Sequence, residues 1–177
     1  MVRFVFAGLA MLTLVSPVAA EEDYGPVLVA LFAKTCAIRP ALPSELARIV
    51  TGLGFVSEDK ISADMEAGPQ IDIVYRARFA GSGRNVSLSA YFGNSVTEPD
   101  VSCSLNTIGV SADALPGLIE KSLDAHDRTE QLANDGNRFV ASWRTGAAQG
   151  SDTIGISAWR TSPQRTSISI TYHSRKQ

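Results

Sequence analysis

The stretch NVSLSAYF, residues Asn85–Phe92, decides the fold class of this chain. Its apolar residues Val86, Leu88, Ala90 and Phe92 alternate with small or half-polar neighbours. Alternation with a period of two is typical of a β-strand that buries one face. The stretch therefore predicts a strand of an antiparallel sheet with one covered face and one open face.

The same alternation recurs on both sides of this stretch, with turn residues such as Gly, Asn, Ser and Pro between the segments. The recurrences lie at residues 70–79, 101–106, 138–145, 153–160 and 166–174. Six strands are therefore predicted. The polar residues 57–69 and 124–137 are interpreted as connections, because they show no periodic apolar pattern.

Three segments carry apolar residues at helical spacing. The first follows Asp23 and ends before Pro40, because the residue preceding a proline avoids the helical conformation. The second begins at Ser44. The third either kinks at Pro116 or begins near it, since a proline inside a helix clashes with the preceding turn.

A helix followed by three strands occurs twice. A shift of 68 residues places the LSAY stretch at 88–91 on the ISAW stretch at 156–159. Any two meanders share such alternation, so phase matching alone is weak support, but the order of elements also agrees. We predict an α+β fold in which an N-terminal helix precedes a duplicated αβββ unit, with pseudo-repeats at about 44–108 and 111–174. The two units would form a six-stranded antiparallel sheet with the helices packed on one face.

This layout is similar to that of the secreted β-lactamase inhibitor proteins and of secretion-chaperone-like α+β domains. The similarity concerns the layout of elements, and no residue motif carries it. A shared layout does not establish a shared function.

The first twenty residues have the parts of a secretory signal peptide. Arg3 precedes the apolar run 4–15, and Val18-Ala19-Ala20 places small residues before Glu21. The apolar run is shorter than the ~20 residues that span a bilayer. We therefore expect residues 1–20 to be removed, leaving a single domain at 21–177 that is exported to the periplasm or the extracellular space and does not stay in the membrane. An uncleaved anchor is the alternative.

Export to an oxidising compartment bears on the redox state of the two cysteines. Cys36 belongs to the apolar stripe of the first predicted helix, and Cys103 shares its phase with the core-facing residues of a strand. In an oxidising compartment two such thiols most simply form a structural disulfide. The alternatives are two free thiols or a redox pair, although the C-x-x-C spacing of redox pairs is absent.

Composition excludes two classes of protein. Lys and Arg total 16 against 18 Asp and Glu, and 45% of the residues are hydrophobic. The apolar content argues against intrinsic disorder. The net charge of −2 argues against a nucleic-acid-binding protein, which needs a basic surplus.

The open face of the predicted sheet is the candidate binding site. It carries aromatic and basic side chains among many hydroxyl groups, which is typical of binding surfaces. The alternative is an ordinary solvated strand face. The candidate residues are Arg76, Arg78, Tyr91, Arg144, Trp159 and His173.

No catalytic motif is found. His126 lies among acidic residues at 124–130, but one histidine with carboxylates on a polar segment does not define a metal site. His173 has no nucleophile elbow or acid placed beside it. We therefore predict no catalytic residues, no metal and no cofactor.

The predicted function is that of a non-catalytic binding or inhibitory module whose partner is an extracytoplasmic protein. Two alternatives remain open. One is a small extracytoplasmic hydrolase or metal-dependent enzyme that uses His126 or His173. The other is a structural component of the cell envelope.

Overall fold

The computed structural model describes residues 24–59, 73–79, 85–93, 101–111, 113–132, 137–145, 152–159 and 165–172. The predicted signal peptide at 1–20 and the candidate residue His173 lie outside these ranges. Within them the chain is an α+β structure with three helices and one antiparallel sheet. In this part of the chain no helix is long and apolar enough to cross a membrane.

The three helices are α1 (Gly25–Lys34), α2 (Pro43–Gly52) and α3 (Leu115–Leu123). Each has a proline in its first turn, where the missing N–H would have no partner in any case. The third helix therefore begins beside Pro116 and does not kink there.

Eight strands form one sheet in the described residues. They are β1 (Phe55–Ser57), β2 (Ile73–Phe79), β3 (Val86–Phe92), β4 (Val101–Ile108), β5 (Ala125–Leu132), β6 (Arg138–Thr145), β7 (Thr153–Trp159) and β8 (Arg165–Tyr172). Their order across the sheet is β1-β2-β3-β4-β8-β7-β6-β5, and every neighbouring pair is antiparallel.

The prediction of six strands is wrong, because β5 lies in a segment interpreted as a connection and no strand was predicted over β1. Both are edge strands. An edge strand is held by backbone hydrogen bonds on one side and need not bury alternate side chains. Accordingly β1 is three residues long, and His126 to Glu130 of β5 are all exposed.

Side chains fasten the polar strand β5 to its neighbours. The buried Trp143 of β6 donates its indole N–H to Glu120 of α3 at 3.0 Å. Arg128 of β5 binds the same carboxylate at 3.4 Å, and its guanidinium lies 5.9 Å from the Trp143 ring centre. The hydroxyl groups of Thr129 and Ser142 lie 2.6 Å apart. These partners belong to α3 and β6 and not to β5, so the pattern of β5 itself did not indicate a strand.

The helices cover one face of the sheet and form a single core with it. Strand burial alternates as predicted, with Val101, Cys103 and Leu105 of β4 buried and their neighbours half-buried. In α1 the buried residues include Leu28, Val29 and Phe32, whereas Val27 is 44% exposed. The helical spacing in the sequence predicts Val27 on the buried side, and this is wrong. The predicted covered and open faces of the sheet are therefore both present.

The predicted disulfide joins Cys36 and Cys103, with a Cα–Cα distance of 5.4 Å. Cys36 follows α1 and Cys103 lies on β4, so the bond connects the N-terminal helix to the middle of the sheet. Both residues are fully buried in the core. The bond thus links the segment that follows α1 to the sheet.

The two halves of the described chain follow the same element order. Each is a helix and then four antiparallel strands, and the halves meet where β4 pairs with β8. This order agrees with the predicted helix-on-sheet layout. It does not establish a duplicated unit, which stays a prediction.

Candidate functional site

The open face of the sheet is built from the strand residues that alternate with the core. Because the strands are aligned, these residues form rows that cross the sheet from strand to strand. Three such rows are described below as the middle row, the Tyr91 row and the Trp159 row.

The middle row is made of small residues. Ser89, Ser104, Ser169, Gly155 and Ser142 lie side by side on five consecutive strands, and all are half-buried. Ser104 donates its hydroxyl to the Ser89 carbonyl at 3.3 Å, and Ser169 donates to the Gly155 carbonyl at 3.4 Å. A Cβ at Gly155 would lie 3.2 Å from the Ser169 hydroxyl oxygen. The centre of the open face therefore carries only short side chains, which are closely packed.

Arg76 and Arg78 lie on β2 beside the β1 edge, and both bind carboxylates. Arg76 contacts Asp59 through two nitrogens, at 3.1 and 3.2 Å, and Arg78 contacts Glu58 at 2.9 Å. The hydrogen bond and the charge of Asp59 raise the pKa of Arg76 above its ordinary value, with a smaller contribution from Glu58. The positive charges of these two candidate residues are thus compensated within the chain.

Tyr91 and Arg144 share one row, although four strand spacings separate them. The Tyr91 row runs from Val74 through Tyr91, Ser102, Thr171 and Thr153 to Arg144. Tyr91 is 41% exposed, and Val74 beside it is 51% exposed. The structure therefore does not bring Tyr91 and Arg144 into contact.

Trp159 lies at the other end of the strands, between two arginines. Arg138 of β6 is its direct cross-strand partner, and the Arg138 guanidinium carbon lies 5.9 Å from the Trp159 ring centre. Arg165 of β8 is its neighbour on the other side, one register step beyond the last pair of β7 with β8. Arg165 is in turn paired with Ile108 of β4. These four residues form the Trp159 row.

Tyr91 and Trp159 do not form one site. Their rows cross β8 at Thr171 and at Arg165, which are six residues or about 20 Å apart along that strand. In addition, Tyr91 on β3 and Trp159 on β7 are three strand spacings apart across the sheet. The shift of 68 residues equates their sequence positions, but β4 and β8 pair antiparallel. Matched positions in the two halves therefore fall at opposite ends of the sheet.

A groove of about 440 Å³ runs along the Trp159 row. It is lined by neutral polar side chains together with Trp159, Ile108 and Arg165. The polar residues on its open-face side are Asn85, Ser87, Asn106, Ser157 and Ser167. We use the name Trp159 corner for this groove together with the Trp159 row.

The sequence analysis missed two residues of this corner. Arg138 shares its strand phase with Arg144 and could have been selected on that basis. Arg165 is the first residue of β8, where alternation had been recognised only from the next residue onward. Proximity of both to Trp159 depends on strand order, which the sequence pattern did not specify.

A second cavity, of about 330 Å³, lies on the helix side beside Arg39 and Asp124. Its one arginine is already engaged. The Arg39 guanidinium donates to Thr145 at 2.9 Å and forms an ion pair with Asp152. Among the lining residues that the structure describes, the cavity therefore has no arginine or lysine that is free to bind an anionic ligand.

His126 lies on the exposed edge strand β5. Its Nε2 is 3.9 Å from the carboxylate of Asp127, and both side chains are largely exposed. In the described part of the chain no group of three or more His, Cys, Asp or Glu side chains is arranged to hold a metal ion.

Comparisons with protein-family models, with curated proteins and with solved structures found no match to this chain. The fold and the open face thus define a structural class only, an α+β protein with helices on one side of an antiparallel sheet.

Proposed function

We propose that this protein is a non-catalytic binding or inhibitory module that engages an extracytoplasmic protein through the open face of its sheet. The observation that carries the proposal is the Trp159 corner. It combines an exposed aromatic ring, two flanking arginines and a polar groove. Trp and Arg are the residue types most enriched among those that dominate binding energy at protein interfaces.

The position of Trp159 also favours binding over a purely structural role. Its side chain is 43% exposed, whereas Trp143 on the adjacent strand is 1% exposed and belongs to the core. An exposed tryptophan contributes little to the packing of the domain and offers a large apolar area to a partner.

The test is capture of a partner by the purified protein and by two variants. Trp159→Ala removes the ring of the Trp159 corner. Val27→Ala is the control, because Val27 is 44% exposed, much like Trp159, but lies in α1 on the other side of the sheet. Circular dichroism of both variants shows whether they are folded.

We expect the wild-type protein and Val27→Ala to retain the same partner from an extracytoplasmic extract, and Trp159→Ala to lose it. If folded Trp159→Ala captures the partner as well as the wild type, the Trp159 corner is not the binding site. If neither the wild type nor a variant captures a partner, the alternative of a structural envelope component is favoured.

We also infer that the protein is exported and loses residues 1–20. The order of Arg3, the apolar run and Val18-Ala19-Ala20 supports this, and so does the disulfide, since disulfides persist in oxidising compartments. N-terminal sequencing of the protein from its own host should begin at Glu21. A product that keeps Met1 would contradict the cleavage.

Finally, we propose that the two halves arose by duplication of one unit, a helix followed by four strands. The shared order of elements and the sequence match near a shift of 68 support it. The test is an alignment of many related sequences, half against half. Halves that show no similarity at matching positions would contradict the duplication.

A further inference from the structure

We propose that the Trp159 corner recognises an acidic surface segment of its partner, in which carboxylate side chains flank an apolar one. Arg138 and Arg165 would bind the carboxylates, and Trp159 with Ile108 would contact the apolar side chain. This inference rests on the proposed function, because it names the chemistry of a ligand for the same site.

The first argument is uncompensated charge. Among the residues that the structure describes, Arg138 and Arg165 have no carboxylate partner, whereas Arg76 and Arg78 on the same face each have one. The whole chain carries a net charge of −2, so this corner is not part of a generally basic surface. Within the described residues this corner therefore presents two exposed arginines that no carboxylate neutralises.

The second argument is that Arg138 is held in place. Its Nε donates to the Ser157 hydroxyl at 3.0 Å, and its guanidinium lies over the Trp159 ring. The two terminal nitrogens keep their hydrogens available for the paired contact that a carboxylate accepts. An ordered guanidinium loses less conformational entropy on binding, and such preorganisation increases affinity.

The third argument is the apolar area beside the charges. Trp159 and Ile108 remain 43% and 48% exposed, on either side of Arg165 in the row. A small inorganic anion would leave both uncovered. A peptide segment with an apolar residue between acidic ones would cover them, and the groove of about 440 Å³ falls within the range of ~300–1,000 Å³ that ligand sites occupy.

The experiment uses two fluorescein-labelled peptides and the purified protein. One peptide is Gly-Glu-Phe-Glu-Gly, and its control is Gly-Gln-Phe-Gln-Gly, which has the same shape without charge. Binding is measured by fluorescence polarisation at low salt. We expect the acidic peptide to bind with Kd below about 1 mM and the neutral peptide to bind at least about tenfold more weakly.

Three arginine variants locate the binding. Arg138→Gln and Arg165→Gln should each weaken the acidic peptide about tenfold, because each removes one charge-assisted contact. Arg48→Gln is the control, since Arg48 is an exposed arginine on α2, on the helix side of the sheet. It should leave the affinity unchanged, and circular dichroism confirms that each variant folds.

Several results would overturn the inference. These are equal affinity for the two peptides, an equal loss with Arg48→Gln, or no binding of the acidic peptide below about 1 mM. If an oligogalacturonate binds and is weakened by Arg138→Gln and Arg165→Gln, while the acidic peptide does not bind, the groove is assigned to an anionic glycan instead. If the peptide fails while Trp159→Ala still abolishes partner capture, the proposed function stands and the acidic segment is wrong. If capture also survives Trp159→Ala, the Trp159 corner is neither the partner's binding site nor a site for an acidic segment.

Discussion

The two faces of the sheet are formed by the same strands but differ in how far their side chains are buried. On β4 the core-facing Cys103 and Leu105 are fully buried, while Ser104 and Asn106 between them are only half-buried on the open face. The helices cover one face, so its side chains contribute most of the apolar burial that stabilises the fold. The open face contributes little to that burial and is therefore where a binding site can form without loss of stability.

The largest expected effect is on the covered face, from removing the disulfide. The Cys36→Ala, Cys103→Ala double variant should lose about 4 kcal/mol of unfolding free energy, because the bond closes a long loop in the unfolded chain. Urea unfolding under non-reducing conditions measures the loss. Reduced wild-type protein is the control and should be destabilised to a similar extent. A double variant as stable as the oxidised protein would contradict the assignment.

The next largest effect is a difference in stability between variants of two adjacent residues of β4. Leu105→Ala should cost about 3 kcal/mol, since it removes a fully buried side chain and leaves a cavity. Asn106→Ala, one position along on the open face, should change stability by less than about 1 kcal/mol. Chemical denaturation of both variants gives the two values. Equal losses would show that the faces do not differ as the burial pattern indicates.

A smaller effect concerns the fastening of β5. Glu120→Ala leaves the indole N–H of Trp143 without its acceptor and removes a partner of Arg128, so a loss of about 1–3 kcal/mol is expected. Lys121→Ala, at an exposed position in the same helix, is the control. Hydrogen exchange should also become faster in β5 of Glu120→Ala. Unchanged exchange there would show that the Glu120 contacts do not hold the edge strand.

The smallest effect on stability is expected at Trp159. Trp159→Phe should cost less than about 1 kcal/mol, because the ring is largely exposed and its contact with Arg138 is a surface cation–π interaction. Its optical effect should nevertheless be large. Acrylamide should quench the fluorescence of Trp159 and barely affect Trp143, so the remaining emission of the variant should resist quenching. Strong quenching of that emission would place Trp143 in contact with solvent.

Local sequence pattern was sufficient wherever burial alternates along a strand. The phases of β3, β4, β6, β7 and β8 were all predicted, and so was the pairing of the two cysteines. The pattern was insufficient at the edges of the sheet. The strand β5 is polar throughout its exposed part and is stabilised by pairing with β6 and by residues of α3.

In the candidate site too, some features were predictable from the local sequence pattern and others were not. Tyr91 and Trp159 were correctly predicted to be exposed on the open face, because side-chain direction follows from strand phase. Their relation was not predicted. A shift of 68 residues places Tyr91 on Trp159 in the sequence. In the structure, the antiparallel pairing of β4 with β8 places these two residues at opposite ends of the sheet.

The α+β class, the two faces of the sheet and the disulfide thus followed from the amino-acid sequence, since each depends on which residues avoid water. The order of the strands, and with it the neighbours of each exposed residue, followed from the three-dimensional pairing of the strands. Arg138, Trp159 and Arg165 are far from one another in the chain or separated by a turn, and only strand order places them in one row. Hydrophobic burial is readable residue by residue, whereas neighbours across strands depend on how the whole sheet assembles.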